Sequence, residues 1–228
     1  MRHPLTQVTR EVRPLDLRPA NSCLLLQDVH APLTDAEEGW LAEQLRARKL
    51  AREFDEYFEQ LDLVRPNITM ILEEARRMDM PVVFSCFGYQ PPAVPSPLQT
   101  AMGWLFDLSG EHGRFPAAWR PAGGGEIMDP RPGWGALSGS LAGFLARRQI
   151  ENVIVMGSLL EYGVRQSCGE LADRGLGCLV VSDGVTALTR DAHGFTAGNL
   201  AHGLTKFRTA AELMLLLAVL DSEGRVCI

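Results

Sequence analysis

Three segments of the sequence carry residue types and turns that could do chemistry. Asp28 ends one apolar run, Cys86 ends another, and segment 152–167 consists of an apolar run, a turn that Gly157 begins, and a helical pattern. A carboxylate suits general acid–base chemistry, and a thiol suits nucleophilic attack. The first N–H groups of a helix at the carboxyl edge of a parallel sheet can bind an anion. The sequence therefore predicts a site at that edge.

The elements that must position these residues follow an alternating pattern. Apolar runs bounded by turn residues alternate with segments of helical period, which is typical of a parallel sheet covered by helices. We predict an α/β protein with a three-layer α/β/α Rossmann-like fold and a mainly parallel sheet of about six strands. The predicted strands are 23–29, 81–86, 126–128, 153–157, 178–182 and 205–208. Helices with one apolar face are predicted over 64–78 and 140–148.

The chain length predicts a single domain over residues 1–228, because 228 residues suffice for one well-buried core. Residues 1–20 are predicted to form an N-terminal arm. Segment 89–125 is rich in proline and aromatic residues and interrupts the alternation. Excursions of this length commonly serve as lids or oligomer contacts. We expect its aromatic side chains to be exposed for such a contact.

Composition argues against several classes of partner. The net charge of −6, the pI near 5.4 and the scattered arginines disfavour nucleic-acid binding. The five cysteines form no CxxC pair and mostly fall within apolar runs, which is typical of reduced thiols in a cytoplasmic protein. The most apolar run, 210–220, is too short to cross a bilayer. We expect a cytoplasmic protein that binds a small-molecule substrate, with neither a nucleic-acid nor a membrane partner.

Three motifs in the same order resemble those of the isochorismatase-like, or cysteine hydrolase, superfamily. The first, Leu-Leu-Leu-Gln-Asp-Val-His at 24–30, is similar to the family's Leu-Leu-Val-Val-Asp-Met-Gln. The second, Arg-Pro-Gly-Trp-Gly-Ala-Leu-Ser-Gly-Ser-Leu at 131–141, resembles Lys-Pro-x-Tyr-Ser-Ala-Phe-x-Gly-Thr-x-Leu. The third, Gly-Ser-Leu-Leu-Glu-Tyr-Gly-Val-Arg-Gln-Ser at 157–167, resembles Gly-Val-Ala-Thr-Asp-Tyr-Cys-Val-Arg-x-Thr. The resemblance covers roughly residues 20 to 215 and implies the same fold.

The resemblance also implies catalytic positions, two of which this chain has changed. The family uses an aspartate, a lysine and a cysteine, and here Asp28 matches the aspartate, Arg131 the lysine and Gly163 the cysteine. The thiol of the family mechanism is therefore absent at position 163. Isochorismatases proper also have glycine there and hydrolyse a vinyl ether by protonation and water attack. By that analogy Asp28 serves as the acid or base, and Arg131 orients an anionic group because a guanidinium stays protonated.

The family places an oxyanion-binding turn before the nucleophile position. By resemblance Ser158, Leu159 and Gly163 would supply its backbone, with a non-proline cis peptide between Ser158 and Leu159. Five more residues are candidates for substrate binding, and they are His30, Cys86, Trp134, Leu160 and Tyr162. We expect neither a metal nor another cofactor, since no histidine has ligand spacing to His30. Cys168 follows an apolar stripe and is predicted to be a core thiol.

Three functions remain open from the sequence. The first is a hydrolase of a small anionic molecule, such as an enol ether, amide or imide, that works without a cysteine nucleophile. The second is a pseudoenzyme that serves as a binding or oligomer partner, because two of the three catalytic positions have changed. The third is a cysteine hydrolase with Cys86 as a relocated nucleophile. By resemblance we expect a homo-oligomer, a dimer or tetramer, or a hetero-oligomer with an active relative.

Overall fold

A six-stranded parallel sheet with helices on both faces organises the chain. The computed structural model describes residues 14–123, 125–201 and 205–228. The strand order in the sheet is β4-β3-β2-β5-β6-β7, and a separate antiparallel pair joins β1 to β8. The predicted α/β class with a mainly parallel sheet is therefore confirmed. The first part of the predicted N-terminal arm, residues 1–13, lies outside the described residues.

The elements have the following bounds. The strands are β1 (Asp16–Leu17), β2 (Ser22–Gln27), β3 (Val82–Phe87), β4 (Ile127–Arg131), β5 (Asn152–Gly157), β6 (Gly177–Val185), β7 (Thr205–Arg208) and β8 (Val226–Cys227). The α-helices are α1 (Ala31–Thr34), α2 (Trp40–Arg48), α3 (Asp55–Arg77), α4 (Pro97–Met102), α5 (Leu141–Arg147), α6 (Arg165–Asp173), α7 (Arg190–Leu200) and α8 (Ala210–Glu223). A π-helix spans Leu160–Val164, and short 3-10 helices span Pro19–Asn21, Ala51–Phe54, Glu111–Gly113, Ala117–Trp119 and Ala136–Ser138.

All six predicted strands of the main sheet are present, but β4 is longer than the sequence indicated. It continues from the predicted end at 128 to Arg131, through Pro130. Proline lacks an N–H donor, so a strand that contains it is usually read as ended, yet an edge strand tolerates it. Strand β4 lies at the edge of the sheet, so it can continue through Pro130. Arg131 is therefore the last residue of this strand. This placement brings its side chain to the carboxyl edge of the sheet.

The two faces of the sheet bury two apolar cores. Along β2, Leu24 and Leu26 pack into the core that contains α3 and α8, whereas Cys23 and Leu25 pack into the core that contains α5 and α6. A strand that is buried on both faces reads as a continuous apolar run, because alternate side chains point to opposite faces. Helix α3 starts at Asp55 and not at 64, since its buried face already includes Tyr57 and Leu61.

The interior thiols agree with the sequence analysis. All five cysteines are free, and only Cys227 among them is exposed. Cys168 is fully buried in the core beside α6, with its sulfur 3.4 Å from that of Cys178, which confirms it as a core thiol. Among the described residues, no helix combines the length and the apolarity needed to cross a membrane.

The excursion at 89–125 packs its aromatic side chains inward, contrary to the expectation of exposure. Phe106 and Trp119 are fully buried, and Trp104 is half-buried against Trp40 and Phe87. A backbone bridge between Tyr89 and Asp107 closes the excursion on itself. Clustered aromatic residues in a proline-rich segment thus form a satellite core under a long loop, which the sequence pattern alone does not distinguish from an exposed contact.

The carboxyl ends of β2 and β5 meet at a tight backbone contact. Gly157 pairs with Gln27 and has φ of 120°, and the N–H of Ser158 donates to the Gln27 carbonyl at 2.8 Å. A Cβ on Gly157 would lie 2.0 Å from that carbonyl oxygen. The predicted cis peptide between Ser158 and Leu159 follows immediately and is confirmed. Asp28 leaves β2 in the left-handed region, at φ of 53°.

We expect Gly157→Ala to lower the free energy of unfolding by about 3 kcal/mol or more, because it adds both a steric clash and an unfavourable φ. Gly224→Ala is the matched control, since Gly224 also has positive φ but has open space around it. The control should cost about 1 kcal/mol. Urea denaturation measures both. Equal losses in the two variants would show that the contact with Gln27 is not tight.

Candidate active site

Asp28 and Arg131 meet as a buried ion pair at the carboxyl edge of the sheet. Arg131 ends β4, beside Phe87 at the end of β3, and its guanidinium reaches Asp28 just beyond β2. Nη2 of Arg131 donates to Oδ2 of Asp28, and the backbone N–H of Phe87 donates to Oδ1 at 2.7 Å. Arg131 is 0% exposed and Asp28 is 3% exposed. The structure thus brings together two of the three predicted catalytic positions.

Burial dominates the electrostatics of Asp28. Removal from water raises the pKa of this carboxyl above its usual value of 3.8, although the charge of Arg131 and the N–H of Phe87 act in the opposite direction. Desolvation disfavours the charged form of an acid, whereas a nearby cation favours it. A carboxyl with a raised pKa at a buried strand end is suited to deliver a proton.

Arg131 also fixes the loop that follows it. Its Nη1 donates to the carbonyls of Gly133 and Trp134, at 2.6 and 2.7 Å. Its Nε is buried and has no acceptor within the described part of the chain. A planar fork can hold a carboxylate and two carbonyls at once, which the single ammonium of a lysine does less well. Arg131 therefore orients Asp28 and its own loop together.

Gly163 faces Asp28, as the resemblance implied, but the space beside it is filled. It lies in the π-helix, and a Cβ at this position would be 3.4 Å from Oδ2 of Asp28 and 3.2 Å from the Trp134 carbonyl. The same Cβ would be only 2.3 Å from Nε2 of Gln27. Position 163 thus lies beside Asp28, as the third predicted catalytic position. The Gln27 amide occupies the space that a side chain at position 163 would take.

Gln27 is the site residue that the sequence analysis missed. It is fully buried, its Oε1 accepts from Ser167 Oγ at 2.7 Å, and its Nε2 donates to the Trp134 carbonyl at 3.1 Å. The available signal was a glutamine inside an otherwise apolar strand, directly before Asp28. A buried amide needs hydrogen-bond partners, so such a residue marks a polar contact that the tertiary structure must supply.

The turn after β5 is held by other backbone and hydroxyl groups. Ser158 Oγ accepts from Thr186 Oγ1 at 3.0 Å and lies 3.4 Å from the hydroxyl of Tyr57. The N–H of Leu160 donates to the Thr186 carbonyl at 2.7 Å, and the Leu160 side chain is fully buried in the core. Leu160 is therefore a core residue, and its role in substrate binding stays a prediction. An anion site on the N–H groups of Leu159 and Gly163 stays a prediction.

Trp134 and Tyr162 are the partly exposed candidates near the ion pair. The Trp134 ring stacks on Phe87 at 4.9 Å and lies 5.5 Å from the ring of Tyr162. Tyr162 is 45% exposed, and Trp134 is half-buried. These rings form an aromatic surface beside the sealed carboxyl. A substrate that reaches Asp28 can contact them before it contacts the ion pair.

Cys86 and His30 are buried and electrically neutral. Burial, aided by the charge of Asp28, raises the pKa of the Cys86 thiol well above its usual value, which disfavours the thiolate that a nucleophile requires. Burial, followed by the charge of Arg131, lowers the pKa of His30 to about 3. Both ring nitrogens of His30 are without a hydrogen-bond partner in the described structure, and its ring lies 5.9 Å from that of Phe106.

Comparison with known proteins gives one family and many similar structures. The family model described as the isochorismatase domain matches residues 33–212. No curated protein matches the chain. A cysteine hydrolase from Pseudomonas syringae pv. phaseolicola 1448A has a TM-score of 0.74 at 12% identity, with 94% of this chain and 99% of that chain covered.

Two further structures show the same likeness. An isochorismatase family protein from Burkholderia thailandensis has a TM-score of 0.64 at 20% identity, over 92% of this chain and 100% of that one. N-carbamoylsarcosine amidase from Thermoplasma acidophilum has a TM-score of 0.61 at 16% identity, over 83% of this chain and 96% of that one. At these identities the likeness concerns the fold.

The neutral, buried His30 predicts an acid-sensitive stability. Its folded-state pKa lies below the usual 6.5, so the folded state binds fewer protons than the unfolded chain, and stability falls as the pH drops from about 6.5 towards 3. Between pH 6.5 and 4 the expected loss is about 3 kcal/mol. Denaturation at several pH values should show a shallower loss for His30→Gln. A His193→Gln control that flattens the profile equally would contradict this assignment.

Removal of the guanidinium predicts the opposite pH dependence. Arg131→Met leaves Asp28 buried without its cation, so the folded-state pKa rises further above the usual 3.8 and stability falls as the pH rises through that raised value. We expect a loss of about 3–5 kcal/mol at pH 8 and a smaller loss at pH 5. The double variant Asp28→Asn/Arg131→Met should recover most of it. A loss that is independent of pH would contradict the ion pair.

Proposed function

Because the chain belongs to the isochorismatase family, we propose that it is a hydrolase of small anionic molecules that works without a cysteine nucleophile. The observation that carries the proposal is Asp28, a buried carboxyl with a raised pKa, fixed by Arg131 and Phe87 beside Gly163. Asp28 is the acid and base of the reaction. Arg131 holds Asp28 and adds positive charge that favours an anionic substrate.

In the proposed reaction on an enol ether, Asp28 alone carries out the first two proton transfers. The protonated Asp28 donates its proton to the terminal carbon of the double bond, and the π electrons form the new C–H bond. Water attacks the resulting oxocarbenium carbon and returns a proton to the Asp28 carboxylate. The hemiketal then breaks its C–O bond to the alkoxy group. Its hydroxyl loses a proton to form the ketone carbonyl, and the departing oxygen gains a proton and leaves as an alcohol. A carboxyl whose pKa is raised by burial can donate the first proton and take one back from the attacking water.

Access to the site requires movement. Asp28 is 3% exposed, so a substrate reaches it only if part of the surrounding structure moves. Closure around a bound substrate would then exclude water from competing contacts and strengthen the electrostatics of the ion pair. The partly exposed rings of Trp134 and Tyr162 are the first surface that an entering substrate meets.

A second candidate, a binding scaffold without turnover, is favoured by the packing around position 163. The Gln27 amide fills the place of the thiol, and the ion pair has its main donors and acceptors occupied by protein groups. In this reading the Asp28–Arg131 pair is purely structural. The third function, with Cys86 as nucleophile, is disfavoured by the complete burial and raised pKa of that thiol.

The test is hydrolysis of a panel that contains isochorismate, amides, ureides and nitriles. We expect turnover that iodoacetamide does not abolish, that falls at least about 100-fold in Asp28→Asn, and that decreases as the pH rises through the raised pKa of Asp28. Asp129→Asn is the matched control, because Asp129 is a second buried carboxyl, on β4, that bonds Ser140 instead. It should retain activity within a few-fold.

Three outcomes separate the candidates. Turnover that is equal in wild type and Asp28→Asn would overturn the proposed role of Asp28. Inactivation by iodoacetamide together with loss of turnover in Cys86→Ala would support the relocated thiol. Absence of turnover on the whole panel, with saturable binding of a panel member by calorimetry, would support the scaffold.

A further inference from the structure

Gln27 and Gly163 lie far apart along the chain, and in space they fit each other. Here Nε2 of Gln27 lies 2.3 Å from the place where a Cβ on Gly163 would stand. Atoms that are not bonded do not pack that closely, so a side chain at 163 requires the end of the Gln27 side chain to move away from its present place.

The Gln27 amide is held in this place from two sides. Ser167 Oγ, on α6, donates to Oε1, and Nε2 donates to the Trp134 carbonyl. Both partners keep another bond if the amide is removed. Ser167 Oγ is also within 2.9 Å of the Gly163 carbonyl, and the Trp134 carbonyl also accepts from Arg131. Replacement of Gln27 therefore leaves neither partner without a hydrogen bond.

The Trp134 carbonyl connects Gln27 to the ion pair. It accepts from Gln27 Nε2 at 3.1 Å and from Arg131 Nη1 at 2.7 Å. The same guanidinium donates through Nη2 to Asp28. A continuous hydrogen-bonded path therefore runs from Ser167 through Gln27 and Arg131 to the carboxyl. Such networks fix the orientation of each member more firmly than isolated pairs do.

We propose that Gln27 is a positioning residue of this site, whose amide occupies the space that a side chain at position 163 would take and holds the Trp134 carbonyl in place for Arg131. The inference deepens the hydrolase proposed above and rests on it for its meaning in turnover. Two consequences follow. A side chain at position 163 displaces the Gln27 amide from its hydrogen bonds, and the hold of Arg131 on Asp28 depends on the amide donor.

The first consequence is tested by a double-mutant cycle on thermal stability. Gly163→Ala should lower Tm by about 5 °C in the wild-type background and clearly less with Gln27→Val, which removes the amide but leaves the 3.2 Å approach to the Trp134 carbonyl. Gly169→Ala is the matched control, because Gly169 also lies in a helix and has open space around it. It should shift Tm equally in both backgrounds. Should Gln27→Val not fold, Gln27→Ala clears the same space.

The second consequence is tested on the carboxyl of Asp28. Gln27→Met keeps the side-chain length but loses the donor, so Arg131 is held less firmly and the pKa of Asp28, followed by carbon-13 NMR, should shift upward. Gln99→Met is the matched control. Gln99 is a fully buried glutamine that donates to the backbone carbonyl of Arg131 rather than to the Trp134 carbonyl. It should leave the pKa of Asp28 where it is in the wild type.

The outcomes for Gln27 are distinguishable from those for hydrolysis, because neither measurement requires turnover. An equal loss of Tm for Gly163→Ala in both backgrounds would overturn the shared volume. An unmoved pKa of Asp28 in Gln27→Met would overturn the positioning role. Both expected shifts without turnover on the substrate panel would establish the Gln27 arrangement and reject the proposed hydrolase.

Discussion

The buried pair of Asp28 and Arg131 is the interaction on which the rest of the site depends. Two charges without water are costly unless each is fully paired, and a buried carboxylate that loses its cation is strongly destabilising. The fold meets most of this requirement with Phe87 N–H on one oxygen, the guanidinium on the other, and two loop carbonyls on Nη1, whereas Nε of Arg131 has no acceptor among the described residues. Three strand ends and the loop 132–135 are thereby tied to one carboxyl.

The same burial that makes the pair structural also gives Asp28 its chemical character. Desolvation raises the pKa of Asp28 despite the adjacent cation. It also raises the pKa of the Cys86 thiol, and it lowers the pKa of His30. These shifts disfavour the charged forms of the neighbouring thiol and imidazole, and Asp28 is the group to which the proposed function assigns the proton transfer.

The parallel sheet was readable from the sequence because buried strands and amphipathic helices have different periods. Misreadings arose where tertiary placement overrode a local signal. The strand predicted over 126–128 continues through Pro130 to Arg131, because an edge strand tolerates a proline that has no N–H donor. The aromatic residues of 89–125 suggested an exposed surface, but Phe106 and Trp119 are buried, because a long loop can cover its own small core.

The sequence by itself determined the α/β class and the order of the three motifs, because residue type and local spacing are properties that a chain carries without folding. The cis peptide between Ser158 and Leu159 and the place of Gly163 at the nucleophile position were implied by the resemblance of these motifs to the family. Only the tertiary structure decided what fills the space of the thiol. Gln27 and Gly163 are far apart along the chain, and their contact at β2 and the π-helix depends on strand register and side-chain reach. Pattern in one dimension does not encode such a distance.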